Sequence, residues 1–399
     1  MQNSKLEKIS YQFYLIMLLF LFEPNAFVKI SILNYLFIIG AVVSFLVIFL
    51  KYIKYKFPID NVLIILICWR LLSLFVTFIY GGDILKVGYQ SLIFITLFMY
   101  AKYFIKKKSL KMFWKILLTI FFTYLIVNIL SYSLFPNGII HNSSSDIIYF
   151  LGIRTRFTEY ALATILLGII NYKYKQINLF YLAIVIIIAL LNIMLPNIST
   201  AYTGIAIIII SYFILYRFYH KKKVSSFKPL LIIALIFTFL IVFLRAQNVF
   251  EYFIVNVLNK QLTLSNRTVL WDLSYKYILN GNWLFGNGYI NDGNFIALGP
   301  TKWQAHDQFL QMLYECGITG TFLFYLFISK ILGKSKRVIN KLDMLIVSFV
   351  FAFLIMMISE IYSYYIPFYV VLVCCYCKDH IYKDLLHWKK GEKNEKSSN

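Results

Sequence analysis

WQAHDQFLQMLYECGITG, residues 303–320, begins as polar loop and ends as membrane helix. The apolar run it opens continues to about residue 332, which is the length of a bilayer crossing. His306 and Asp307 therefore stand where the chain enters the membrane. The same transition recurs along the chain. Apolar stretches lie at 10–22, 31–50, 59–79, 89–105, 112–135, 157–172, 177–195, 201–216, 229–245, 307–332, 342–360 and 364–377. The 399 residues are 61% hydrophobic and only 14% charged, which no soluble domain of this length resembles. The expectation is an all-α, polytopic integral membrane protein of about 12 transmembrane helices. Residues 1–399 form a single membrane domain.

The net charge of +22 invites a nucleic-acid reading, but its placement excludes one. KYIKYK at 51–56, KKK at 106–108, KYK at 173–175, HKKK at 220–223 and KSKR at 334–337 all fall on one side of the spans. This asymmetry orients membrane proteins, with the basic side cytoplasmic. Both termini are expected inside, at a bacterial plasma membrane. The partner this charge implies is the lipid bilayer, with no nucleic acid. Five cysteines lie in or near apolar spans without disulfide or zinc spacing, and CCYC at 374–377 reads as packed thiols.

Two outer loops exceed the usual connection length, 136–156 and 246–306. The second is partly folded. NRTVLWDLSYKYILN, 266–280, reads as an amphipathic helix started by Ser265 or Asn266, and GNWLFGNGYINDGN, 281–294, as a glycine-rich turn region. This large extracytoplasmic loop is expected to carry part of an active site.

Arginine is depleted on the outer side, so Arg154, Arg156, Arg245 and Arg267 call for a reason. A guanidinium grips phosphate in a two-pronged fork. Arg267, at the first turn of its helix, adds free backbone N–H groups and the helix dipole. Trp271, four residues on, is expected to share its face and to stack on the guanidinium or on a sugar. His306 is a general-base candidate at neutral pH, with Asp307 in the same site. On a continuous helix, His306, Leu310, Leu313, Gly317 and Gly320 would form one stripe, with the glycines allowing close helix packing. Glu315 lies deeper, on the face of Asp307 and Gln311, and is a substrate-positioning candidate because ionisable groups at membrane depth are costly. Arg70 and Glu360 read as structural charges. No Walker loop, HExxH, GxSxG elbow or DxD pattern occurs, and neither metal nor cofactor is expected.

Taken in order, RTRFTEYALAT at 154–164, SNRTVLWDLSYKYILNGNWLFGNGY at 265–289 and AHDQFLQMLYECGITG at 305–320 resemble the motifs of the O-antigen polymerase and O-antigen ligase superfamily. That family commonly has Asn after the His, where this chain has Asp307. The resemblance implies a metal-independent glycosyltransferase acting on lipid-linked donors. The donor would be an oligosaccharide repeat unit on undecaprenyl pyrophosphate, the acceptor another such unit, and the product O-antigen, capsule or exopolysaccharide. Arg154, Arg156 and Arg267 would bind the pyrophosphate, while His306, Arg267 and Asp307 would carry the chemistry. A chain-length regulator and a flippase are implied partners. Ligase-type transfer to another acceptor and a polysaccharide flippase or transporter are the alternatives. The absence of internal repeats speaks against transport.

Overall fold

The computed structural model describes residues 2–141, 147–219, 226–246, 248, 267–299, 301–333 and 339–386. Every apolar stretch becomes a helix. In chain order these are α1 (Gln2–Leu19), the single turn α2 (Asn25–Val28), α3 (Ser31–Lys54), α4 (Asn61–Ile79), α5 (Ile84–Lys106), α6 (Leu110–Leu134), α7 (Phe157–Lys173), α8 (Leu179–Met194), α9 (Ser199–Tyr219), α10 (Lys228–Thr238), α11 (Arg267–Asn280), α12 (Gln308–Ile331), α13 (Lys341–Met356) and α14 (Ile366–Tyr376). Among the described residues, α3, α4, α5, α6, α9 and α12 are long and apolar enough to cross a membrane by length and composition. The fold is all-α and polytopic.

The ends follow from local chemistry. Asp60 caps α4 by accepting from Leu63 N at 3.0 Å, and Asn340 and Asp343 close a reciprocal capping box on α13. The first helix begins earlier than the expected span 10–22 and stops three residues sooner, at Leu19, ahead of Glu23-Pro24. Residues 342–377 do split in two, with a non-helical turn between α13 and α14. α14 is apolar on every face and buried from Ile366 to Cys375, as a helix at the centre of a bundle must be. It packs against α5, α7, α12 and α13, while α4 packs along α12, α9 along α13, and α7 against α6 and α8. All five cysteines are free, and Cys374, Cys375 and Cys377 are buried.

The long outer loop contains α11, as expected. Its expected caps, Ser265 and Asn266, lie outside the described residues. Two short antiparallel strand pairs not expected from sequence, Ile140–His141 with Ile147–Ile148 and Ile296–Leu298 with Thr301–Trp303, lie at the same end of the bundle.

The largest departure is in α12. It is broken at Gly317 (φ +62°, ψ −168°), so the stripe expected along a continuous helix does not form. The glycine-rich turn fills the break. Asn287 N donates to Tyr314 O at 2.7 Å and Gly288 N to Glu315 O at 3.0 Å. Ile318 N donates to Trp283 O at 2.9 Å and Thr319 N to Leu284 O at 3.2 Å. Backbone groups that the break would orphan in an apolar medium thus find partners in the loop. The approach is so close that a Cβ on Gly286 or Gly317 would sit 2.4 Å from backbone of the opposing segment.

Candidate active site

Four separate segments converge here: a 3-10 turn at Arg154–Arg156 leading into α7, the first residue of α11, the residues just before α12, and the turn between α13 and α14. Arg267, at the start of α11, donates from Nη2 to Glu360 Oε1 at 2.8 Å. Arg156 donates from Nη1 to Glu159 Oε1 at 3.1 Å and to the Ile361 carbonyl at 3.4 Å, and from Nη2 to the Tyr365 hydroxyl. Its guanidinium also lies over the Tyr365 ring. Arg154 is exposed and makes no ion pair among the described residues. Thus two arginines are fixed by carboxylates and a third stands in the open.

His306 is half-buried beside this group. Burial pushes its pKa below the ordinary value. Glu360 acts in the opposite direction, and the positive charges of Arg267 and Arg156 add to the lowering. These interactions place the imidazole within electrostatic reach of all three. A ring kept neutral in this way can accept a proton. Among the described residues no hydrogen bond restrains it, and its nearest aromatic neighbour is Trp303, with ring centroids 6.5 Å apart. The backbone at His306 is left-handed (φ +50°), so it stands off the helix rather than on the expected stripe.

Asp307 has a different place from the one expected. It is fully buried and caps α12, with Oδ1 accepting from Leu310 N at 2.7 Å. Its Oδ2 has no partner among the described residues, and burial raises its pKa to about 7. Its contribution is to anchor the residue next to His306.

The first two turns of α12 hold the mouth in shape. Gln308 Oε1 accepts from Tyr362 N at 2.9 Å and Ser363 N at 3.0 Å, fixing the turn that carries Glu360. Gln311 Oε1 accepts from Ala305 N at 3.0 Å, fixing the segment that carries His306. Gln311 Nε2 donates to Gly293 O at 2.9 Å and to Glu315 Oε1 at 2.7 Å. Glu315 also accepts from the Tyr364 hydroxyl. It therefore belongs to a deeper polar cluster facing Arg70, which is held by Ser91 Oγ at 2.8 Å and Val87 O at 3.1 Å. Glu315 supports the mouth from beneath, beside Arg70 and away from Arg154, Arg156 and Arg267.

Trp271 also departs from expectation. Arg267 turns toward Glu360, so the cation over the Trp271 ring is Arg245, 5.0 Å from its centroid. Arg245 is tied to Asp272 Oδ1 at 2.5 Å and to Thr268 O at 3.1 Å. Trp271 is buried at the floor of an open groove of about 520 Å³ between the end of α10 and α11. Sequence reasoning missed Tyr365 altogether and took Glu360 for a purely structural charge. The only signal was a Glu and a tyrosine cluster at a span end, and it is the folding of a turn that brings them to Arg267 and Arg156. Among the described residues, no group of His, Cys, Asp and Glu is arranged to hold a metal.

Residues 184–325 match the family model described as O-antigen ligase. The matched stretch begins in α8 and ends within α12, so it includes Arg267, Trp271, His306, Asp307 and Glu315. Arg154, Arg156 and Glu360 lie outside it and reach the same site through the fold. No curated protein and no solved structure matches the chain.

Proposed function

Taking the domain at residues 184–325 as the mark of the O-antigen ligase and polymerase superfamily, we propose that this membrane protein is a glycosyltransferase that polymerises oligosaccharide repeat units. Each unit is carried on undecaprenyl pyrophosphate, and the growing surface polysaccharide is assembled at the outer face of the plasma membrane. The observation that carries the reading is that the turn after α13 binds two arginines from distant segments, Arg267 through Glu360 and Arg156 through the Ile361 carbonyl, with His306 close enough to feel their charges. The acceptor hydroxyl gives its proton to His306 as its oxygen bonds to the donor anomeric carbon. The bond from that carbon to the pyrophosphate oxygen breaks, and the leaving group departs with the electron pair. Arg267 and Arg156, with the open Arg154, take up the charge it gains, which is where preorganised cations lower a barrier most. Glu360 and Glu159 hold two of these guanidiniums in position before substrate arrives. The pyrophosphate is already an activated leaving group, so the scheme uses no nucleotide and no metal. A chain-length regulator and a flippase would work alongside.

Transfer of a finished glycan to a different acceptor is the second reading, favoured by the description of the matching family. The two are separated by the lipid-linked glycans of a deletion strain. The polymerase reading expects single repeat units left on undecaprenyl pyrophosphate. Long polymer stranded on the carrier would establish the ligase reading instead. Complementation with His306→Ala or Arg267→Ala should leave the deletion profile unchanged although the protein inserts normally. Normal polymer in either variant would remove that residue from the mechanism.

A further inference from the structure

At the opposite, lysine-rich end of the bundle, the start of α6, the end of α7 and the start of α8 enclose a pocket of about 360 Å³. It owes nothing to the glycan site, and its chemistry is distinct. Asn171 is fully buried in its wall. Its Nδ2 is used twice, donating to Trp114 O at 3.0 Å and Leu167 O at 2.8 Å, while Oδ1 has no partner among the described residues. Gln176 repeats the pattern, with Nε2 donating to Lys111 O at 2.9 Å and Oε1 buried without a partner. Two amide oxygens therefore wait for donors, a costly state for buried polar atoms. Lys115 stands at the same pocket and makes no ion pair among the described residues. α8 begins here too. Asn178 satisfies Tyr181 N at 2.8 Å, and the remaining first-turn N–H groups have no intrahelical acceptor. Cation and helix start together suit a phosphate. Just outside the pocket, Leu179 and Phe180 are 65% and 74% exposed, a surface for acyl chains.

We propose that this pocket seats the headgroup of an anionic phospholipid bearing free hydroxyls, of the phosphatidylglycerol class. The phosphate lies toward Lys115 and the start of α8, and the headgroup hydroxyls donate to Asn171 Oδ1 and Gln176 Oε1. Choline carries no donor and leaves both oxygens unsatisfied. The surrounding basic loops draw anionic lipid to this face.

The test is lipid retention by the purified full-length protein, measured by native mass spectrometry in micelles. The micelles contain equal phosphatidylglycerol and phosphatidylcholine with identical acyl chains. One phosphatidylglycerol should be kept in preference, and Lys115→Gln, at an exposed position that leaves the fold intact, should lower its retention about fivefold, the gain expected from one lysine beside an anionic lipid surface. Gln176→Leu should erode the preference for phosphatidylglycerol over phosphatidylcholine. Equal retention of the two lipids, or unchanged retention in Lys115→Gln, overturns the proposal. So does glycerol phosphate binding as strongly as the whole lipid, which would assign the pocket to a soluble phosphate.

Discussion

His306 and Asp307 are neighbours in sequence with opposite electrostatic problems. Burial and two arginines discourage a proton on His306, so its acid limb should fall below the roughly 6.5 of a free histidine. The base form is the active one, so transfer should stay constant from pH 8 downward and decline only below that value. A rate–pH profile of purified protein with lipid-linked substrate checks this, and an acid limb above 7 would exclude His306 as the base. Asp307 is raised by burial to about 7. A folded-state pKa above the unfolded one gives stability that is fully present below the unfolded value and lost as pH rises through about 7. Asp307→Asn keeps the cap without the buried charge. Its thermal midpoint should therefore gain on wild type between pH 5 and pH 8, whereas Asp307→Ala should lose about 0.5–2 kcal/mol for the missing cap. No such crossover between the Asn and wild-type melting curves would mean Asp307 is not ionising in place. The arginines and His306 were legible because such residues are rare at an outer membrane face. Glu360 and Tyr365 were not, because only a folded turn brings them to Arg267 and Arg156.

At the scale of elements, the decisive contact is the glycine-rich loop in the break of α12. Gly317 combines a left-handed φ with a ψ that side chains avoid, and its missing Cβ makes room for Leu284. Gly317→Ala should therefore cost more than the roughly 1–3 kcal/mol of backbone strain alone. Gly81 offers the contrast, with φ +63° and open space where a Cβ would go, so Gly81→Ala should cost only about 1–2 kcal/mol. Thermal unfolding of the detergent-solubilised variants compares them, and equal losses would mean the loop does not sit in the break. Hydrophobic spacing announced a helix from residue 307 onward, and it is there. The same spacing gave no notice that the helix would open at its middle. Local pattern records which residues are apolar, and the hydrogen bonds that make a break tolerable come from residues some thirty positions earlier.

For the molecule as a whole, the lysine-rich connections and the candidate active site occupy opposite ends of the bundle. If the basic end is cytoplasmic, a cysteine introduced at Lys107 or Lys173 should react with an impermeant maleimide only after cells are opened. One introduced at Asn137 or Asp292 should react in intact cells. The reverse pattern would put the arginine cluster on the wrong side for lipid-linked glycan at the outer leaflet. The expected orientation rests on charge placement that is visible in the chain itself.

The sequence by itself determined the all-α membrane architecture, the positions of the helices and the residue types at the mouth. These depend on short-range periodicity, on bilayer thickness and on the rarity of charge in apolar surroundings, each of which is written locally. Tertiary structure decided which partner each charge takes. It gave Arg267 to Glu360 and Arg245 to Trp271, turned Asp307 into a cap, and sank Glu315 beneath the mouth. Ion pairs and hydrogen bonds form over a few ångströms, and only the packing of the helices brings residues far apart in the chain within that range.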